Sequence, residues 1–206
     1  MISPNPTTLR SIHETARYLL AHLLEKSEET AKHSKRITSV AVRFGRTLGL
    51  TTEELITLRY GTMLHDIGKL DTPLEYLHKP GALTVYETSV LNLHPEHGAA
   101  MARMRQFPDP ICDAILFHHE RFDGKGYPSG LRGEAIPLAS RIIAIVDTFD
   151  TIVNKRCYRP AQAFDVARDE IVRCAGTQFD PDLAAKFIGL MEVIVASGRY
   201  RDEEAA

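Results

Sequence analysis

The sequence predicts a single all-α domain of about eight or nine helices. Apolar residues recur at steps of three and four through most of the chain, which is the spacing of one helix face. Helix-start signals precede many of these runs, and no segment shows the convincing alternation of a β-strand. The chain of 206 residues, 44% hydrophobic and 25% charged, is long enough for one good core or two small ones.

The first four helices follow from periodicity and from capping signals. Apolar spacing predicts a helix over residues 7 to 26, and a second helix that carries the apolar residues from Ala31 to Leu48. Two more helices are expected to begin at Thr51 and Thr84. Each threonine is followed three residues later by a glutamate, so that side chain and backbone can satisfy each other's hydrogen bonds at a helix start.

The later helices are predicted from prolines that precede apolar runs, because proline is tolerated in the first turn of a helix. These prolines are Pro95, Pro110, Pro137 and Pro181. The segment from Arg121 to Pro137 contains four glycines and two prolines, too many for a regular element. We therefore expect a loop there, and loops of this length within a compact domain are often functional.

Charge and hydropathy exclude several classes of function. Lys plus Arg is 25 and Asp plus Glu is 27, so the net charge of -2 gives no general reason to bind a nucleic acid polymer or a membrane. No apolar stretch approaches the roughly 20 residues that span a bilayer, and no signal peptide is recognisable, so a cytoplasmic location is expected. The three cysteines form no C-x-x-C pair, which argues against a disulfide framework or a thiolate zinc site.

The strongest local motif is His65-Asp66-Ile67-Gly68-Lys69, at the end of a helix that Gly68 is expected to terminate. An imidazole beside a carboxylate supplies two metal ligands, and a helix end lets both turn toward one point. Taken alone, the motif is equally consistent with a capping aspartate and a surface histidine.

Other residues agree with a metal site. Glu29 and His33 are four residues apart and share one helix face. Asp147 lies on an apolar helix, where a carboxylate needs a cation or a strong partner, and a salt bridge is the alternative. His94 and the doublet His118-His119 lie at predicted element boundaries.

Together these residues make eight potential nitrogen and oxygen ligands, more than one metal ion uses. This inventory favours two or three ions of the Mn, Fe or Zn type that share a carboxylate, and not an all-oxygen calcium site. Four other histidines fall outside the pattern and are expected to be ordinary surface residues: His13, His22, His78 and His97.

The ordered motifs of this sequence resemble those of the HD-GYP domains, a branch of the HD phosphohydrolase superfamily. The resemblance covers roughly residues 28 to 190. The matching motifs are Glu29-x-x-x-His33-Ser34-x-Arg36, His65-Asp66-Ile67-Gly68-Lys69, Lys79-Pro80-Gly81-x-Leu83-Thr84, His94-Pro95, His118-His119-Glu120-Arg121-x-Asp123-Gly124-x-Gly126-Tyr127-Pro128, and Asp147 with Arg156-x-Tyr158-Arg159. Cys157 replaces a common proline and Thr151 a usual alanine, which affects only the expected shape of the substrate pocket.

The resemblance implies a helical domain that hydrolyses the bacterial second messenger cyclic di-GMP at two or three metal ions, with Fe or Mn the expected metals. It assigns the metal ligands to His33, His65, Asp66, His94, His118, His119 and Asp147, with Glu29 beside a third ion. It assigns contacts with the substrate's phosphate or base to Lys69, Tyr127, Arg156 and Arg159.

The chemistry of paired cations is consistent with this activity. Two ions about 3.5 to 4 Å apart can share a hydroxide and clamp the oxygens of an in-line displacement. Asp66 is the best candidate for the carboxylate that bridges them, and Lys69 would offset charge on the phosphate oxygens. The expected products are pGpG and then GMP.

Two other classes of function stay open at this point. One is a module that senses cyclic di-GMP or docks a partner without turnover. The other is hydrolysis of a related nucleotide, such as cyclic GMP-AMP or a nucleoside triphosphate. Residues 1–27 are predicted to form an N-terminal helix that could link the domain to an upstream sensor or receiver, or form a homodimer, and residues 28–206 the phosphodiesterase domain.

Overall fold

All regular structure in the described part of the chain is helical. The computed structural model describes residues 6–154 and 163–196, which hold ten α-helices, two short 3-10 helices and one isolated bridge between Ala175 and Phe179. The α-helices are α1 (Pro6–Lys26), α2 (Glu28–Thr47), α3 (Thr52–Leu64), α4 (Leu74–Leu77), α5 (Val85–Leu91), α6 (His94–Met104), α7 (Asp109–Leu116), α8 (Leu138–Val153), α9 (Phe164–Cys174) and α10 (Pro181–Ala196). The all-α prediction is confirmed. Since α4 is a single turn, nine of these helices have seven residues or more.

The predicted helix starts are present at the two capping boxes. The Thr51 hydroxyl accepts a hydrogen bond from the Glu54 N–H at 3.3 Å, and the Thr51 N–H donates to the Glu54 carboxylate at 2.8 Å. Thr84 and Glu87 repeat this exchange at 3.2 and 2.7 Å. These bonds satisfy backbone donors that would otherwise have no partner in the first turn, so α3 and α5 begin where the sequence predicts.

Three of the four prolines lie in the first turn of a helix, at Pro95, Pro110 and Pro181. Pro137 is instead the residue just before α8, where its fixed φ suits the extended backbone that enters the helix. The segment between α7 and α8 contains only one short 3-10 helix, Gly133–Ala135, which confirms the predicted loop.

The core of the described residues consists of two apolar clusters. One cluster joins α2 and α8 to α9 and α10, and the other joins α1 to α3, α6 and α7. Helices α3 and α7 approach closely at Gly61, where a Cβ would lie only 2.6 Å from the Cβ of Ala114. Within the described residues, no helix is both long enough and apolar enough to cross a bilayer.

Gly68 does not end a helix as expected. Helix α3 already ends at Leu64. Gly68 lies inside the other short 3-10 helix, Ile67–Asp71, which comes before Gly133–Ala135 in the chain. The absence of a side chain at Gly68 is required for packing. A Cβ there would lie 1.9 Å from the backbone oxygen of His94 and 2.5 Å from the backbone nitrogen of Gly98. This glycine allows α6 to rest directly on the backbone of the 3-10 helix.

Candidate metal centre

Six of the predicted ligands form two compact groups, one of which includes Asp66. Within each group the potential ligand atoms lie within 4.8 Å of one another; the groups are His33, His65 and Asp66, and His94, His118 and His119. Asp66 joins them, because its Oδ2 lies 3.3 Å from Nε2 of His65 and its Oδ1 lies 3.3 Å from Nε2 of His94. One carboxylate thus has an oxygen available to each group.

Helix ends bring these side chains together. His65 directly follows α3, Asp66 precedes the 3-10 helix, and His94 is the first residue of α6. His118 and His119 follow the end of α7. Because side chains at a helix end are not held on one helix face, residues from four segments can turn toward a common point.

Backbone carbonyls orient three of the imidazoles. Nδ1 of His65 donates to the Thr62 carbonyl at 2.8 Å, and Nδ1 of His94 donates to that of Leu91 at 2.7 Å. His118 makes the same bond with Ile115 at 2.6 Å. Each bond reaches the carbonyl three residues earlier and leaves Nε2 as the ligand atom, the usual way in which a protein orients a metal-binding histidine.

His33 is oriented by a carboxylate instead. Its Nδ1 lies 2.6 Å from Oδ2 of Asp150, and its Nε2 lies 2.9 Å from Oδ1 of Asp147. Arg36 donates to both oxygens of Asp150 at 3.1 Å, and Asn154 donates to Oδ1 at 2.9 Å. Asp150 is not among the residues predicted from the sequence, although it lies three residues after Asp147 on the same apolar helix.

Burial keeps the second group of histidines uncharged. It lowers the pKa of His94 to about 3, assisted by the charge of Lys69, and lowers the pKa of His119 to about 4. Burial and the neighbouring histidines His119 and His65 also hold the pKa of His118 well below its usual range. Neutral imidazoles are the form that binds a metal ion.

The carboxylates of the centre stay ionised although they are buried. Burial raises the pKa of Asp66, but the charges of His65 and Lys69 outweigh it, and the pKa lies well below its usual range. Burial likewise opposes ionisation of Asp147, and the hydrogen bond and charge of His33 outweigh it there. The donor set of imidazoles and ionised carboxylates, without a thiolate, fits divalent cations of the Mn, Fe or Zn type.

Lys69 and Tyr127 border the centre. Nζ of Lys69 lies 2.7 Å from Oδ2 of Asp66, and the Tyr127 ring stacks on the His119 ring with 4.8 Å between centroids. Burial, with the charges of Asp66 and Asp147, raises the pKa of Tyr127, so its hydroxyl stays protonated. Both residues therefore border the ligand groups, and their predicted contact with a substrate stays a prediction.

The glycine-rich loop folds back on the histidine doublet. A Cβ at Gly126 would lie 2.3 Å from the backbone nitrogen of Arg121, so only glycine allows this contact. Glu120, which the sequence analysis included in a motif without a role, is buried and accepts a hydrogen bond from the Ser129 N–H at 2.7 Å. This bond ties Ser129 back to the residue that follows His119.

Glu29 is a member of neither ligand group. It is one helical turn before His33 and lines a cavity of about 260 Å³ together with Lys69 and Lys79. Its predicted part in a third metal site stays a prediction. Arg156 and Arg159, with Cys157 and Tyr158 between them, lie outside the described residues.

A family model described as HD domain matches residues 18–183. The chain belongs to the HD domain family. The matched region starts within α1, ends within α10 and contains all the residues of both ligand groups. The predicted membership of the HD superfamily is thus confirmed.

Two curated relatives show how the HD domain of this chain compares with longer proteins. A protein of Vibrio cholerae named 3'3'-cGAMP-specific phosphodiesterase 2 is 34% identical over 178 residues, 85% of this chain and 34% of that protein. Another V. cholerae protein, named cyclic di-GMP phosphodiesterase, is 36% identical over 191 residues, 88% of this chain and 38% of that protein. The chain spans little more than a third of the length of these relatives.

A solved structure shows the same fold at domain size. The HD domain of the L. monocytogenes phosphodiesterase PgpH matches with a TM-score of 0.64 at 19% identity, covering 89% of this chain and 99% of that one. The helical arrangement of the HD domain is therefore shared although few residues are identical.

Proposed function

We propose that this HD domain is a phosphodiesterase of the HD-GYP branch that hydrolyses cyclic di-GMP to pGpG and then to GMP. The observation that carries the proposal is the position of Asp66, whose two oxygens each lie 3.3 Å from a histidine of a different ligand group. A carboxylate shared by two groups is what a pair of cations requires. The names of curated relatives support the substrate class.

The metal ligands divide between two ions. His33, His65 and Asp147 would hold one, His94, His118 and His119 the other, and Asp66 would contact both. Glu29 would hold a third ion, and Fe or Mn is the expected metal. Such ions activate water as a nucleophile near neutral pH and stabilise negative charge on a phosphate.

The remaining side chains bind the substrate. The Lys69 ammonium, beside Asp66, lies where it can offset charge on the non-bridging phosphate oxygens. The protonated Tyr127 hydroxyl is a hydrogen-bond donor that borders the centre without adding negative charge. Arg156 and Arg159 are proposed to contact the phosphate or base, since a guanidinium can form two parallel bonds or stack on guanine.

Hydrolysis of cyclic GMP-AMP is the second candidate, because one curated relative is named as specific for that dinucleotide. A module without turnover is less consistent with the centre, since such a module has no need of two ligand groups around a shared carboxylate. An upstream sensor or receiver domain, a homodimer through the first helix and a cytoplasmic location stay predictions.

The test is the pair of variants Asp66→Ala and Asp71→Ala. Asp71 ends the same 3-10 helix but is exposed, 3.7 Å from His97. We expect Asp66→Ala to lose metal and reduce hydrolysis of cyclic di-GMP to near the detection limit, whereas Asp71→Ala keeps both. Metal analysis and chromatography of the products measure these outcomes. Wild-type turnover by Asp66→Ala with its metals in place would contradict the proposal.

A further inference from the structure

Lys26, the last residue of α1, contacts the end of the 3-10 helix Ile67–Asp71. Its ammonium donates hydrogen bonds to the backbone carbonyls of Leu70 and Thr72, both at 2.6 Å. These two residues lie 44 and 46 positions further along the chain. One side chain therefore joins the end of α1 to the end of the 3-10 helix.

The carbonyls at the end of this 3-10 helix need a donor from outside it. The last carbonyls of a helix have no partner within the helix, and a buried carbonyl without a partner is unfavourable. A longer 3-10 helix would pair the Leu70 carbonyl with the N–H three residues later, but that residue is Pro73, which has no N–H. Thr72 is buried as well. Lys26 supplies a donor at both positions.

Lys69 is connected to Lys26 through the backbone of Thr72. The Thr72 N–H donates to the Lys69 carbonyl at 3.1 Å, while the Thr72 carbonyl accepts from Lys26. The Lys69 N–H in turn donates to the Asp66 carbonyl at 3.0 Å, and its Nζ lies 2.7 Å from Oδ2 of Asp66. A continuous series of hydrogen bonds therefore runs from the end of α1 to the pair of Asp66 and Lys69.

Helix α1 is a firm support for this series. Leu23, about one turn before Lys26, is fully buried. It belongs to the same apolar cluster as Ile67, the first residue of the 3-10 helix. Because protein interiors are close-packed, this cluster fixes α1 and the 3-10 helix relative to each other. The Lys26 side chain therefore extends from a point that does not move easily.

We infer that Lys26 is a positioning residue for Lys69 and acts through Thr72 and the end of the 3-10 helix. It holds the backbone from which Lys69 extends, so that the Lys69 ammonium stays beside Asp66. A cation that stabilises a phosphate is most effective when it is in place before the ligand arrives. The inference rests on the proposed function, in which Lys69 offsets phosphate charge, and adds to it the residue that fixes Lys69.

The experiment is a double-mutant cycle of Lys26→Met and Lys69→Met, with the binding of GMP to the metal-loaded protein measured by calorimetry. Lys69→Met should weaken binding by roughly 10- to 100-fold, since it removes a charge-assisted contact with the phosphate. Lys26→Met should weaken it by roughly 3- to 10-fold, a usual size of coupling between neighbouring residues. The double variant should bind GMP as weakly as Lys69→Met does, because Lys26 acts by holding Lys69.

The matched control is Lys32→Met, which removes an exposed lysine of α2 that pairs with Glu28. This variant should bind GMP as the wild type does. Lys26→Met should keep the metal content of the wild type, because its effect is on Lys69 and not on the metal ligands. If circular dichroism shows that Lys26→Met does not fold, Lys26→Gln, which keeps an N–H donor, replaces it in the cycle.

Three results would overturn the inference. The first is equal GMP affinity of the wild type and the Lys26 variant. The second is a double variant in which the two single effects multiply, since Lys26 would then act independently of Lys69. The third is a loss of metal from the Lys26 variant, which would make Lys26 a general support of the centre. Hydrolysis of cyclic di-GMP by the wild type is assayed separately, so a failure of the proposed function is distinct from a lack of coupling between the two lysines.

Discussion

At the scale of single residues, the orientation of His33 depends on Asp150. Asp150 is fully buried between His33, Arg36 and Asn154, so it can hold the imidazole in one position. Burial raises the pKa of Asp150, but the contacts with His33 and Arg36 have the larger effect. The pKa of Asp150 is therefore below its usual range. An ionised carboxylate behind a metal-binding histidine fixes the ring and increases its basicity.

We expect Asp150→Asn to weaken metal binding by about 10- to 100-fold, the usual effect of removing such a supporting carboxylate. Competition with a chelator measures this, and circular dichroism reports whether the helices persist. Asp113→Asn, which removes the charge from a surface pair with Arg103, is the control and should bind metal as the wild type does. Equal metal affinity in all three proteins would show that Asp150 does not support the centre.

The sequence identifies the histidines and carboxylates that the fold brings together, but not the side chains that orient them; metal binding by these residues stays a prediction. Asp147 is found because a carboxylate on an apolar helix needs a partner, and the same argument applies to Asp150. Its partners His33 and Arg36 lie 117 and 114 residues away along the chain, so only the folded structure identifies them. The bond between Glu120 and Ser129 is hidden for a similar reason, since it depends on how the loop folds back.

At the scale of elements, the contact between the 3-10 helix and α6 positions His94. We expect Gly68→Ala to destabilise the protein by about 1 to 3 kcal/mol, because the new methyl group would overlap the backbone of His94 and Gly98. Displacement of α6 should also reduce hydrolysis by moving His94 away from Asp66. Urea unfolding and activity assays measure the two effects.

Gly189→Ala is the control for this substitution. Gly189 lies within α10, and a Cβ there would meet nothing within 4 Å. Alanine should preserve or increase stability, by about 0.5 to 1 kcal/mol, because glycine is unfavourable inside a helix. If the two variants were equally stable, the close approach at Gly68 would have no energetic importance.

Helix boundaries are predictable here because caps and prolines are local signals. The capping boxes at Thr51 and Thr84 and the proline at Pro181 lie at helix starts in both the prediction and the structure. Gly68 is different, since glycine is a common local signal for the end of a helix. Its actual role depends on α6, an element that comes later in the chain.

At the scale of the whole molecule, α1 belongs to one of the two apolar clusters. Leu23 is 0% exposed in the cluster with α3, α6 and α7, whereas the adjacent Leu24 is 39% exposed. The predicted division of the chain at residue 27 therefore has a direct test. Leu24 and Tyr18 of α1 are exposed, and such exposed positions are the ones available to the predicted homodimer.

We expect Leu23→Ala to lower the free energy of unfolding by about 2 to 5 kcal/mol, the usual loss for a buried leucine. Leu24→Ala should change it by no more than about 0.5 kcal/mol, as expected of an exposed position. Chemical denaturation of both variants decides the question. A negligible effect of Leu23→Ala would mean that α1 is an appendage and that the folded unit begins near residue 28.

The bond between His33 and Asp150 also has a consequence for biosynthesis. A nascent chain presents His33, His65, His94 and His118 before Asp147 and Asp150 have left the ribosome. During that interval His33 lacks both of the carboxylates that contact it in the folded protein. With His33 as a metal ligand, as proposed above, stable loading of that ion would follow the synthesis of α8. A truncated translation product that ends before this helix would lack both carboxylates that contact His33.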